Sequence, residues 1–215
     1  MSFPFPIVAP AVPAAVNQGA VLNQIITTDG TSFTFTSISA NVAFDTYPII
    51  GVMLRSASTP DIASMTMGGL PCTQLYAQLA GTTLLAFYAA PRGATGNVVV
   101  TSSVTCVRAA ACVFPLANLA SSTTPADANT NASDPMVATI NCPANGWIGG
   151  LAYNGSTSDN IVWSNLTEKF DVQPESVACF SGAGDVFASA QTARSITANP
   201  ANAGSGQLLI LMAMR

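Results

Sequence analysis

Side chains able to do chemistry are few and widely spaced in this chain of 215 residues. There is no histidine, which removes the commonest general base, the commonest metal ligand and the middle member of any Ser-His-Asp triad. Five cysteines, Cys72, Cys106, Cys112, Cys142 and Cys179, occur without a CxxC pair. A zinc site is not expected from them, and they read as small buried hydrophobes in a reducing compartment. A disulfide such as Cys72 to Cys179 is left open. Paired carboxylates are the remaining catalytic resource, and Glu168 and Asp171 are the closest pair of that kind, with Lys169 between them. On a regular strand positions three apart point to opposite faces, so this pair is not expected to converge. Lys169 suggests a solvated, charge-balanced strand edge.

The segment 127–134, from Asp127 through Asn129 and Asn131 to Asp134, places oxygen side chains at alternating positions, like the start of a calcium loop. Ala132 stands where the turn glycine belongs, and no glutamate closes the loop, so it reads as a polar surface segment. Asn131, Asn154 and Asn165 begin Asn-x-Ser/Thr triplets, which carry no meaning without a secretion signal. No phosphate loop, dinucleotide fingerprint or HExxH occurs. Tyr76, Tyr88, Tyr153, Trp147 and Trp163 are the rings a sugar-binding face could use. Core packing is the first reading for all of them. Trp163, between turn-rich segments, is the one placed for partial exposure. The chain is therefore expected to have no catalytic residue, no cofactor, no metal and no enzymatic activity.

The elements that must carry these residues are strands. Alternating or continuous apolar runs of strand length fall at 21–27, 32–36, 48–54, 64–67, 73–79, 82–89, 97–102 and 105–116. After a polar connector at 117–135 they resume at 136–140, 147–153, 160–163, 166–172, 176–180, 194–198 and 207–214. Turn pairs such as Asp29-Gly30, Asn145-Gly146 and Asn154-Gly155 punctuate them. The best helix candidate is the short segment 185–192. A weak repeat is visible: Ile50-Gly51 with Ser58, Thr59 and Asp61 matches Ile148-Gly149 with Ser156, Thr157 and Asp159 at one constant offset. The expected fold is all-β, a two-sheet antiparallel sandwich of jelly-roll type. It spans 17–215 as two strand units, about 20–116 and 136–214. Residues 1–16 form an extended arm, because Pro4, Pro6, Pro10 and Pro13 disfavour a regular ladder or helix, and Phe3, Phe5, Ile7 and Val8 are greasy for a free tail. The arm is expected to be ordered along a neighbouring subunit, or else to be a disordered terminus.

Charged residues make up 7% of the chain, against about a quarter in an ordinary globular domain. Net charge is −4, and the six basic residues, Arg55, Arg92, Arg108, Lys169, Arg194 and Arg215, are dispersed. No cluster could neutralise a phosphate backbone, so nucleic acid is not an expected partner. The longest closing apolar run, 208–214, is too short to cross a bilayer as a helix. Nor is the proline-bearing N-terminus, which lacks Lys and Arg, expected to act as a signal peptide. A charge-poor surface of Ser, Thr, Asn, Ala and Gly suits a protein covered by partners.

Two stretches resemble a known family. Met65-Thr66-Met67-Gly68-Gly69-Leu70-Pro71-Cys72-Thr73-Gln74-Leu75, followed by Leu84 to Pro91 and Thr95 to Val100, is one. The other runs from Gly146-Trp147-Ile148 to Asn154 and on through Val162-Trp163-Ser164-Asn165-Leu166-Thr167-Glu168-Lys169-Phe170-Asp171. Together they resemble a β-sandwich domain of structural proteins in tailed bacteriophages, prophages and gene-transfer particles. The resemblance covers about residues 45 to 213 and carries no catalytic residues. It implies a virion protein assembled in the host cytoplasm: a capsid decoration or cement subunit, with a tail-fibre, baseplate or head-fibre adhesin domain binding host glycan as the alternative. Implied partners are the major capsid protein or other virion subunits and further copies of the chain, by analogy as a homotrimer, with no membrane.

Overall fold

The computed structural model describes residues 14–38, 45–155, 160–176, 178–202, 204 and 206–215. Most of the arm, the second Ser/Thr turn of the repeat and residues 39–44 thus lie outside it. The strands are β1 (Asn17–Gln18), β2 (Leu22–Ile26), β3 (Gly30–Phe35), β4 (Thr46–Ser56), β5 (Ile62–Met67), β6 (Leu70–Pro71), β7 (Thr73–Ala80), β8 (Thr83–Ala89) and β9 (Val98–Ala117). They continue as β10 (Asp127–Asn131), β11 (Met136–Cys142), β12 (Gly146–Asn154), β13 (Ile161–Ser164), β14 (Glu168–Glu175), β15 (Ala178–Phe187), β16 (Gln191–Pro200) and β17 (Leu208–Met214). No described residue is helical.

The all-β antiparallel sandwich expected from the sequence is present, but each half closes a sandwich of its own instead of both strand units sharing one. In the first half β2, the later part of β9, β4, β8 and β7 form one layer, while β3, the earlier part of β9, β5 and β6 form the facing one. In the second half β10-β17-β12-β15-β14 and β11-β16-β13 repeat the same pairings. Numbered within a unit, one layer runs 1-8-3-6-5 and the other 2-7-4, which is jelly-roll order with the fifth strand moved beside the sixth. In the first unit the fifth strand begins as β6 on β5 and crosses over as β7 on β8.

The units differ at the corner. The 20-residue β9 does what β16 and β17 do separately. Partners of β9 shift register at Arg55/Ser56, Gly30/Ser32 and Ile62/Ser64, all near Ser102–Cys106. Such irregularities bend a strand, so β9 turns from one layer into the other without breaking.

Three apolar cores result. One fills the first unit, with Phe33, Phe35, Ile50, Leu54, Met65, Ala109 and Ala111. A second fills the other unit, with Met136, Ala138, Ile148, Trp163, Leu209 and Leu211. Equivalent positions compensate in volume: Phe33 and Phe35 face small Ala109 and Ala111, whereas Met136 and Ala138 face Leu209 and Leu211, as close packing requires. The third core lies between the units, where the β9-β4-β8 layer meets β17-β12-β15 back to back. Equivalent positions face it from both sides: Ile49 and Trp147, Met53 and Leu151, Cys112 and Met212, Phe114 and Met214. Trp147 packs against Phe114 at 5.3 Å and edge-on to Phe87 at 6.5 Å between ring centres. β1 straps the seam: Val16 N–H donates to Asn145 O at 3.0 Å, and the Trp147 indole donates to Gln18 Oε1.

Two sequence expectations are corrected. The segment 185–192 is not a helix; Asp185 to Phe187 continue β15 against Gly146 to Ile148, because that edge of β12 needs a partner. Residues 127–131, read as connector from their polarity, form β10, the counterpart of β2. Their polar side chains bond neighbouring backbone: Asn129 Nδ2 donates to Thr139 O at 2.7 Å and Thr130 Oγ1 to Leu209 O at 2.8 Å. Trp163 is the counterpart of Met65, since the two pair with Ala198 and Val100 respectively.

Gly51 sits in the middle of the seam. A Cβ there would lie 2.7 Å from Leu151 Cδ2 and 2.7 Å from Cys112 Sγ. Gly51→Ala is expected to cost about 1–3 kcal/mol by overpacking, and Leu151→Ala about 2–5 kcal/mol by leaving a cavity. In the double variant the new methyl occupies vacated space, so urea unfolding should show a loss smaller than the sum by about 1 kcal/mol or more.

Candidate functional site

Several of the residues singled out for chemistry hold strands together, Asp127, Asp171 and Trp163 among them. Glu168 and Asp171 lie on β14, the edge of its sheet. A register shift between Glu168 and Phe170 adds a residue, so Glu168 pairs with Ala183 and Asp171 with Ser181. Both partners' side chains turn to the second unit's own core. The two carboxylates therefore share a face, against the expectation that they diverge, and the bulge is the reason. Asp171 Oδ2 accepts the Ile161 N–H at 2.9 Å, and Oδ1 accepts the Cys179 thiol. Burial raises the Asp171 carboxyl above its ordinary value, opposed by those hydrogen bonds. Glu168 is raised by burial and then by the charge of Asp171. The result is a polar staple fixing the start of β13 onto β14. Lys169 balances the edge at 3.8 Å from Asp185, whose Oδ2 accepts the Thr167 N–H at 2.7 Å.

The side-chain oxygens of Asp127, Asn129 and Asn131 in the calcium-like segment are likewise used within the chain. Asp127 Oδ1 accepts from Ala128 N–H, its Oδ2 from the backbone and side chain of Asn141, and Asn131 Oδ1 from Ser133. Among the described residues no group of three His, Cys, Asp or Glu side chains is placed to hold a metal ion. All five cysteines are free thiols, so Cys72 and Cys179 are not joined. Burial raises every one, Cys72 and Cys142 to about 11, which disfavours the reactive thiolate.

The aromatic side chains proposed for sugar stacking are core. Trp147, Tyr153 and Tyr88 are buried, and Trp163, the one placed for partial exposure, is also core at 9% exposed, with its indole donating to Ser181 Oγ at 2.7 Å. Tyr76 is half-buried. Asn154 is buried and its side chain donates to Asn202 O, which leaves no room for a glycan there.

Sequence reasoning missed the polar cluster on the rim of the seam. Arg55 of β4 pairs with Glu175 of β14, and Arg108 approaches the same carboxylate at 4.0 Å and Asp29 at 3.8 Å. The signal available was a lone cation closing the apolar run of β4. Beside it a cavity of about 230 Å³ is lined by Arg55, Ala80, Gly81, Thr82, Thr83 and Tyr153, together with Gly155 and Gly206. That is below the usual size of a ligand pocket, and its cation is already paired. Scans against protein-family models, curated proteins and solved structures find no match to this chain.

The staple has a pH signature. Because the folded-state pKa of Asp171 is raised, its contribution to stability is full at acid pH and falls as pH rises from about 4 through the raised value. Asp171→Asn keeps an acceptor for Ile161 without the buried charge, so this decline should flatten in melting curves between pH 3.5 and 7. Asp171→Ala leaves the Ile161 N–H unpaired and should cost about 1–3 kcal/mol at every pH.

Proposed function

We propose that this chain is a structural subunit of a bacteriophage particle, a capsid decoration or cement protein that docks on the assembled head. One observation carries the reading: the chain offers partners area without charge. Only 7% of residues are charged. Of the six basic residues, Arg55, Arg92, Arg108 and Lys169 are engaged with carboxylates of the same chain. Arg194 lies over the Phe187 ring and donates to Asn165 O. Few charges are left to repel a neighbour or to require counter-charges on it. The resemblance of 65–75 and 146–171 to phage structural sandwiches supports the same reading. Its partners would be the major capsid protein and further copies of the chain, as a homotrimer on the virion surface. The adhesin alternative has lost its proposed sugar-stacking face, since Trp163 and Tyr153 are buried.

A cement protein binds the assembled shell better than its separated subunits and so stabilises the shell by mass action. Particles lacking the protein should assemble and adsorb normally but rupture at lower temperature, and adding the purified protein back should restore them. Attachment should change little between about 0.05 and 0.5 M salt, a range that strongly screens exposed ion pairs. Normal rupture with lost adsorption would overturn the cement reading in favour of the adhesin.

A further inference from the structure

Among the described residues β7 is the last strand of its sheet, hydrogen-bonded to β8 alone. Its eight residues, Thr73 to Ala80, include no charged residue and no proline, and Leu79 is 42% exposed. The equivalent edge of the second unit, β14, carries Glu168, Lys169, Asp171, Pro174 and Glu175 and is interrupted by two register shifts. Those are the devices that stop an edge from recruiting another strand, and β7 has one register shift and none of the others. Among the uncharged outer strands β7 is also longer than β2 or β3. The two-residue turn Gly81-Thr82, with Gly81 at φ 60, closes on the pair Ala80 and Thr83. Counting back from that bonded pair, Gln78 and Tyr76 bond β8, whereas Ala77 and Leu79 turn their N–H and C=O outward.

A matching strand exists in the same chain. In residues 3–11 the prolines at 4, 6 and 10 share one parity, while Phe3, Phe5, Ile7, Ala9 and Ala11 occupy the other; Pro13, of the second parity, lies beyond this stretch. In an extended strand successive residues present their N–H and C=O to opposite sides. The prolines therefore disable one side and leave the other with all its donors. A regular two-sided ladder is ruled out, but addition to an edge is not. The segment carries no charged side chain, like β7.

Reach decides whose edge is filled. Val16 N–H is held by Asn145 O and Ala15 O by Asn118 Nδ2, each at 3.0 Å, and Asn17 pairs with Ala117 on β9. Across the sheet the slot outside β7 is then five strand spacings from β1, about 24 Å. Between Ala11 and Ala14 an extended chain spans only about 10 Å. The arm cannot fill the β7 edge of its own molecule with Phe3 to Ala11 in place.

We propose that residues Phe3 to Ala11 of one copy add as a strand to the free edge of β7 on a second copy, with the odd-numbered residues bonding the edge and the prolines facing outward. The added strand ends the sheet on a side that cannot recruit further strands, so exchange of arms is limited and specific. The proposal stands apart from any place in a virion.

Parity makes the test sharp. Ile7→Pro removes a donor from the bonding side, whereas Val8→Pro adds a proline to the side already disabled. In sedimentation of the full chain, wild type and Val8→Pro should self-associate, and Ile7→Pro should associate about tenfold more weakly or less, as loss of an edge hydrogen bond and its neighbours implies. Melting temperatures of all three should agree at low concentration. Hydrogen exchange should show the Ala77 and Leu79 amides protected in wild type and Val8→Pro but open in Ile7→Pro. A wild-type chain that stays monomeric at high micromolar concentration would overturn the proposal. So would equal weakening by both prolines, or arm-dependent protection on β2 or β3 instead of β7.

Discussion

The apolar core between the two units is the contact on which the remaining structure depends. It gathers many of the largest buried side chains, including Trp147, Tyr153, Phe87, Phe114 and Phe180. Each unit alone would expose the whole outer face of its larger sheet, because β4, β8, β12 and β17 are apolar on both faces. A strand buried on both sides reads as a continuous apolar run, and these four do. Equivalent faces of two related units meet, as in a two-fold dimer interface, but within one chain. Gly51 and Gly149 occupy equivalent seam positions, where a Cβ would strike Leu151 in one case and the Trp147 ring in the other. The large side chains of the seam are thus accommodated by what the strands omit.

Polar groups are arranged around that core and not within it. The Arg55, Arg108 and Glu175 cluster closes one rim between β4, β9 and β14. Gln18 reaches in from β1 to satisfy the one polar atom of Trp147, and Gly184 leaves the space for that bond. A buried indole N–H without a partner would cost about 1–3 kcal/mol, so the strap at β1 matters more than its two residues suggest. In the second unit Asp171 and Ser181 do comparable work for Ile161 and Trp163. Several of the polar side chains capable of chemistry are engaged in these duties.

Much of this architecture was legible in the sequence. Apolar runs located nearly every long strand, and the Ile50-Gly51 and Ile148-Gly149 match located equivalent central strands. It could not show that each copy closes a sandwich of its own, because β9 merges two strands into one run and β10 is too polar to look like a strand. The strand pairing of Asp185 to Phe187 was hidden because β15 has glycines where its counterpart β8 has Leu85 and Phe87; the rings of Phe170 and Trp147 lie over those glycines. Glu168 and Asp171 were placed on opposite faces because a bulge leaves no mark in a single sequence. Trp163 could not be told from a surface ring, since Ser181, which satisfies it, is 18 residues away.

The chain holds two tryptophans, and each reports on a different core. Trp147 lies in the seam and Trp163 in the second unit. Fluorescence-detected urea unfolding of Trp147→Phe and Trp163→Phe, each followed through its remaining tryptophan and by far-UV circular dichroism, tests whether the seam is integral to the fold. The account predicts that within each variant the fluorescence and dichroism transitions coincide, since neither unit keeps its outer face dry once the seam opens. If in Trp163→Phe the Trp147 signal were lost well before the β-sheet dichroism, the units would be independent and the seam a secondary contact, contradicting the account.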